Sequence, residues 1–208
     1  MTKSPHSWKN TTHDWARTVD TEHLAQVRDQ PDVFAPGGTT HLILEVLAYV
    51  AEEAESAGTG GRCVVTLHAD GSVSVADNGR GTDTRLDADG RPVRKPVMAT
   101  KDLRFFDRPD PHLLPDGQPR RGMSTVAALS TWLVHTNRRR NGAWTQRYEQ
   151  GVPVSALVAT PDGETTGTTV QFLPVDEVGV REVSPSMLRR ATTGWPHLVV
   201  EVNDERAS

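Results

Sequence analysis

Cysteine is nearly missing from this 208-residue chain: Cys63 is the only one, so neither an internal disulfide nor a thiolate metal cage can form. Such usage fits a cytoplasmic protein. Long hydrophobic runs are missing as well. No stretch approaches 18 consecutive apolar residues, and the opening MTKSPHSWKNTTHDWART lacks the apolar block of a signal peptide, so no membrane span and no secretion are expected. Lysine is scarce, with Lys3, Lys9, Lys95 and Lys101 the only four among 23 basic residues, a bias from which no function follows. Positive charge is not in excess either. The 27 acidic side chains leave a net charge of −4, which argues against direct DNA binding along the phosphate backbone. No His-x-x-x-His pair, Gly-x-Ser-x-Gly elbow or Gly-Lys-Thr phosphate loop occurs. What is there is globular: 36% apolar and 24% charged residues, enough for one domain with a real core.

Residues 1–20 show no sustained period and read as a flexible arm carrying Trp8 and Trp15. From residue 21 to 208 the pattern is that of one domain. Thr21 is the expected N-cap of a short helix that Pro31 stops. In GGTTHLILEVLAYVAEEAESAGTGG, Leu42, Val46, Tyr49, Val50 and Glu53 fall at helical spacing, and glycines follow. CVVTLHADGSVSVADNGRG reads as a β-hairpin turning at Asp70 and Gly71. Residues 82–121 hold six prolines among charges, the mark of a lid or a disordered insert. MSTVAALSTWL suits a helix, and VHTNRRRNGAWTQRYEQG a hairpin turning at Asn141 and Gly142. GTTVQFLP is an expected strand, Ser184–Thr193 a helix and HLVVEVN a last strand. The class is α+β, with helices on one face of a mixed or antiparallel sheet.

Two places carry chemistry. VADNGRGT sets Asp77 at a strand end before Gly79 and Gly81, which bracket Arg80. A Gly-rich turn lets a ligand approach the backbone, and a carboxylate there can accept a hydrogen bond from an exocyclic amine such as adenine N6. A plain Asx-turn at Asp77 and Asn78 explains the same residues. Glu45 is one carboxylate inside the apolar run LILEVLAYV. It is costly unless it faces a cleft, finds partners or sits at a solvated helix edge.

Together these pieces resemble the ATPase domain of the DNA gyrase B subunit, within the GHKL group that also holds histidine kinases and MutL. LAQVRDQPDVF, HLILEVLAYVAEEA, HADGSVSVADNGRGT, MSTVAALSTWLVHTNRR, RYEQGVP and TTGTTVQFLP follow the family order over residues 22–204. The resemblance implies a Bergerat-type two-layer sandwich, a mixed sheet with helices on one face, and an adenine nucleotide, ATP or ADP, held under a lid. By resemblance Asp77 receives adenine N6, Thr168 shares the adjacent water, and Gly79 and Gly81 are the turn glycines. Arg80 lies near the adenine, and Arg139 stands at the pocket mouth contacted by aminocoumarin inhibitors. Glu45 corresponds to the general base.

The metal and phosphate half departs from the family. Tyr49 occupies the position of the Mg²⁺-binding asparagine, and a phenol is a poor Mg²⁺ ligand. Glu52 and Glu53 are candidate substitutes or solvated helix positions. The glycine-rich phosphate loop is replaced by DGQPRRGMS, where Gly117 and Gly122 remain and Pro119 offers no N–H. Arg120 and Arg121 either bind phosphate by charge or form a solvated basic turn. Since the chain ends at Ser208, no transducer lysine and no topoisomerase reaction by this chain alone are expected. The reading is a nucleotide-binding domain with weak or absent hydrolysis, acting through a protein partner. A slow ATPase and an aminocoumarin-sequestering protein are the alternatives. In the family the arm embraces a second subunit, so a homodimer is compatible with this reading.

Overall fold

Apolar residues on every side of one helix place it between layers rather than on a surface, and the architecture grows from that helix. The computed structural model describes residues 19–58, 60–81, 85–86, 89, 92–93, 96–106, 110–140, 142–161, 165–178 and 183–206. The expected arm with Trp8 and Trp15 lies outside them, as do Thr82, Asp83 and Asn141.

Helix α1 (Thr21–Asp29) is capped by Asp20, whose Oδ1 accepts the His23 N–H at 3.2 Å. The cap is thus one residue before the expected Thr21, because the carboxylate of Asp20 reaches the open N–H and Thr21 is already helical. Pro31 ends α1 and opens the short α2 (Pro31–Phe34). The long helix α3 (Thr39–Ala57) is buried at every residue from His41 to Ala48, and Gly58 ends it in the left-handed conformation. The hairpin follows as β1 (Gly61–Leu67) and β2 (Val73–Asp77), turning at residues 68–72, where Asp70 Oδ1 accepts from the Ser72 N–H at 2.9 Å.

Two short strands, β3 (Arg85–Leu86) and β4 (Pro92–Val93), pair in the Pro-rich region. Helix α4 covers only Met123–Ala128, and β5 (Ser130–Arg139) starts where the sequence suggested more helix. The correction is tertiary. Thr131, Trp132 and Val134 favour extended backbone, and β5 gains two partners, β6 (Gly142–Glu149) and β9 (Gly167–Pro174). Strands β7 (Val152–Pro153) and β8 (Val158–Ala159) extend β6, helix α5 (Pro185–Ala191) is capped by Ser184, and β10 (Leu198–Asp204) closes the chain order.

The sheet runs β10-β1-β2-β9-β5-β6-β7, with β8 also on β6. Only the β1–β10 pairing is parallel among these, so the sheet is mixed as expected. Inward residues such as Val65, Val75, Phe172 and Leu133 form one buried cluster with Leu47 of α3 and Leu188 of α5. His23 ties α1 to α4, its Nε2 2.9 Å from Ser124 Oγ. Burial lowers its pKa to about 4, so the ring stays neutral there.

Gly167, at φ +141°, opens β9 directly beside Asp77. A Cβ at this position would lie 2.0 Å from the Asp77 carbonyl oxygen. Gly167→Ala should therefore lower stability by at least about 2 kcal/mol in urea unfolding. Unchanged stability would mean that this close approach does not exist.

Candidate functional site

Where the inward face of the sheet turns polar, a cavity of about 380 Å³ opens between it and α3. Pairing registers build its wall in two rows. Val75, Val170, His135 and Gln146 lie side by side across β2, β9, β5 and β6, and Thr168, Asn137 and Trp144 form the next row. Met98, Met123 and Tyr49 also line the cavity. The volume falls in the usual range of small-molecule sites, which combine apolar walls with a few polar groups.

Asp77 reaches this cavity from the end of β2. Its Oδ1 accepts the Gly79 N–H at 2.8 Å, so the Asx-turn and the cavity-lining position coexist. Burial raises its pKa, reinforced by nearby Glu53 and opposed by the N–H groups of Gly79 and Thr168. Gly81, at φ +73°, lies so close to β5 that a Cβ would sit 2.4 Å from the Arg138 carbonyl oxygen. Arg80 pairs with Glu53, Nε to Oε1 at 2.6 Å, and Arg139 donates to the Gly81 carbonyl at 3.4 Å. Asp77, Arg80, Gly81, Thr168 and Arg139 thus share one cavity.

Glu45, Arg120, Arg121 and Gly122 do not line it. Glu45 is 0% exposed, which removes the solvated-edge alternative. One of its oxygens accepts the Arg121 N–H, the other the Gly122 N–H at 2.9 Å, and His41 Nε2 stands 3.5 Å away. His41 Nδ1 in turn meets Asp116 Oδ2 at 2.7 Å. Arg120 is 6% exposed, not a solvated turn residue: it pairs with Glu52 and lies 4.6 Å from the centre of the Tyr49 ring. The Arg121 guanidinium lies 5.7 Å from the Phe34 ring centre and 5.6 Å from that of Phe106.

Mg²⁺ does not fit the residue that would hold it. The Tyr49 hydroxyl donates to Asp102 Oδ2 at 2.8 Å. Burial, with Asp102 beside it, raises the Tyr49 pKa far above that of free phenol, so no phenolate oxygen is on offer. Asp102 is occupied too, accepting from Arg104 Nη2 at 2.8 Å. Burial pushes its carboxyl up, but the Arg104 and Tyr49 hydrogen bonds outweigh this and lower its pKa. Among the described residues no group of three His, Cys, Asp or Glu is arranged to hold a metal.

Sequence reasoning missed His41, Asp102, Arg104, Asp116, His135, Asn137 and Trp144. His41 had a signal, since it precedes Glu45 by one helical turn. So did Asn137: after Leu133, the alternate positions His135, Asn137 and Arg139 switch one strand face from apolar to polar. His41 also makes stability depend on pH. Burial alone would lower its pKa, but Asp116 and Glu45 together raise it to about 9 from 6.5. Its contribution is complete below pH 6.5 and lost as pH rises through 9. Between those values, wild type should lose on the order of 3 kcal/mol more in urea unfolding than His41→Asn. Parallel pH profiles would show that His41 carries no charge in the fold.

Comparison with known proteins gives the same family as the motifs. The chain is 32% identical to the B subunit of DNA topoisomerase 4 from Staphylococcus epidermidis over 162 residues, which is 76% of this chain and 24% of that protein. It is 35% identical to the DNA gyrase B subunit of Mycolicibacterium smegmatis over 161 residues, again 76% and 24%. For the DNA gyrase B subunit of Haloferax volcanii the identity is 37% over 168 residues, 76% of the chain and 26% of the relative. The chain therefore spans about a quarter of the length of these curated relatives. No protein-family model matches it. Within the described residues no helix is long and apolar enough to cross a membrane. Similarity to gyrase B and topoisomerase 4 B subunits over three quarters of the chain, joined to a mixed sheet with helices on one face, is consistent with a gyrase B-like domain of the GHKL group.

Proposed function

We propose that this domain binds an adenine nucleotide, ATP or ADP, through its base, and hydrolyses it slowly or not at all. The observation that carries the reading is a division. Asp77, Thr168 and Arg139 converge on one cavity, whereas Glu45 lies outside it with both oxygens taken by backbone N–H groups. In this reading Asp77 accepts a hydrogen bond from the exocyclic amine of adenine, and Val46, Val50, Val75 and Val170 supply apolar contact to the ring faces. A carboxylate at that point disfavours guanine, whose corresponding atom is a carbonyl oxygen.

Hydrolysis needs a base free to orient water and groups that stabilise charge on the phosphates. Glu45 is not free in this arrangement, and Tyr49 supports no metal. Slow turnover would require the segment around residues 116–122 to release Glu45. A second reading, an aminocoumarin-like ligand in the same cavity, is favoured by Arg139 lying in the wall with Asp77 and Thr168.

Titration calorimetry separates these. Loss of a charge-assisted hydrogen bond of about 1.5 to 3 kcal/mol should make Asp77→Asn bind ADP about 10- to 150-fold more weakly than wild type, with thermal stability little changed. Equal ADP affinity in the two proteins would remove the base-pocket assignment. Tight novobiocin binding by a wild type that ignores ADP would favour the second reading.

A further inference from the structure

The polar residues of α3 that matter to the site recur at positions 41, 45, 49 and 52, one stripe along one side of the helix. Every member of that stripe is engaged by residues 102–104 or 116–122. His41 meets Asp116 at 2.7 Å, and Glu45 takes the N–H groups of Arg121 and Gly122. The Tyr49 hydroxyl donates to Asp102 at 2.8 Å. Glu52 receives Arg120 Nη2 at 3.1 Å and faces Arg104 Nη1 at 3.5 Å. Gly122 is wedged in, a Cβ there falling 3.2 Å from Asp102 Cβ and 3.3 Å from the Tyr49 hydroxyl. Arg120 closes the cluster, 4.3 Å from the centre of the Phe105 ring and 4.6 Å from that of Tyr49.

We propose that this cluster is an internal latch, closed without any ligand, and that the neighbouring pocket therefore selects an adenine compound by its base and ignores its phosphate tail. The inference rests on the adenine-binding reading above. Its physics is local. Tyr49 and Met123 line the cavity, and beside them the backbone donors of Arg121 and Gly122 are already given to Glu45. An anionic tail directed inward would have to displace that carboxylate. It would also meet Glu45, Glu52, Asp102 and Asp116, whose cationic partners His41, Arg104 and Arg120 are committed to them, while the Arg121 guanidinium is directed to the Phe34 and Phe106 rings. Glu45 and Asp102 are buried, and a like charge brought near them is repelled more strongly than in water. Of the cations in the cavity lining, Arg80 pairs with Glu53 and Arg139 donates to the Gly81 carbonyl. Adenosine, with an uncharged tail, then loses nothing relative to ATP.

Two measurements on the whole chain test this. In native-state hydrogen exchange without ligand, the amides of Arg121 and Gly122 should be protected. Exchange should accelerate about tenfold or more in Asp102→Asn and in the milder Asp116→Asn, which keeps the shape of the side chain. In calorimetry, adenosine, ADP and ATP should bind wild type within about threefold of one another, and ATP should gain about fivefold or more over adenosine in the two variants. Rapid exchange at both amides in the ligand-free wild type overturns the latch. So does ATP binding to wild type about 100-fold more tightly than adenosine, a difference of about 2.7 kcal/mol. Protected amides with no binding of any of the three compounds would support the latch and instead contradict the adenine reading.

Discussion

A carboxylate with no solvent exposure sits at the centre of this molecule, and much else follows from the need to satisfy it. An ionised side chain withdrawn from water is tolerated when it is hydrogen-bonded and paired. Glu45 meets that need with the N–H groups of Arg121 and Gly122 and with His41 one turn earlier on α3. Those contacts fix the course of residues 116–122 across the helix. They also bring Arg120 to Glu52, so that an arginine from a stretch rich in charge and proline becomes part of the interior.

The pocket itself owes its character to the sheet. Strands β2, β9, β5 and β6 present apolar residues beneath the helices and a mixture of apolar and polar ones at the pocket, so a single surface serves both core and cavity. Two glycines without room for a side chain, Gly81 and Gly167, let the chain pass close to β5 and to Asp77. The cavity wall is thus built from pairing register, which local sequence changes disturb little. The α3 stripe depends on side-chain pairs and can change by substitution. Tyr49 is an example: it keeps the helix packed while committing its hydroxyl to Asp102.

This difference explains what could be read in advance. The long helix, the hairpin ending at Asp77 and the strand Gly167–Pro174 were legible because their apolar periods and turn residues agree with the final packing. The end of α4 was not, because pairing of β5 with β6 and β9 overrides a helical local pattern. The family order of motifs singled out Asp77 and Thr168, and both line the cavity. Asp102, Arg104 and Asp116 were not, since only the folded chain brings their segments back to α3, and no spacing along the sequence encodes that meeting. Burial of Arg120 was likewise hidden, because two adjacent arginines in a Pro- and Gly-containing stretch ordinarily mark a solvated turn.

Recognition of the base and chemistry on the phosphates are separable in this reading, with the first retained and the second closed off. Steady-state phosphate release from ATP, measured with Mg²⁺ for wild type and Glu45→Ala, tests this most directly. The expected result is release near background in both proteins, with no difference between them. Mg²⁺-dependent release by wild type that Glu45→Ala abolishes would contradict it, and would identify Glu45 as a working general base.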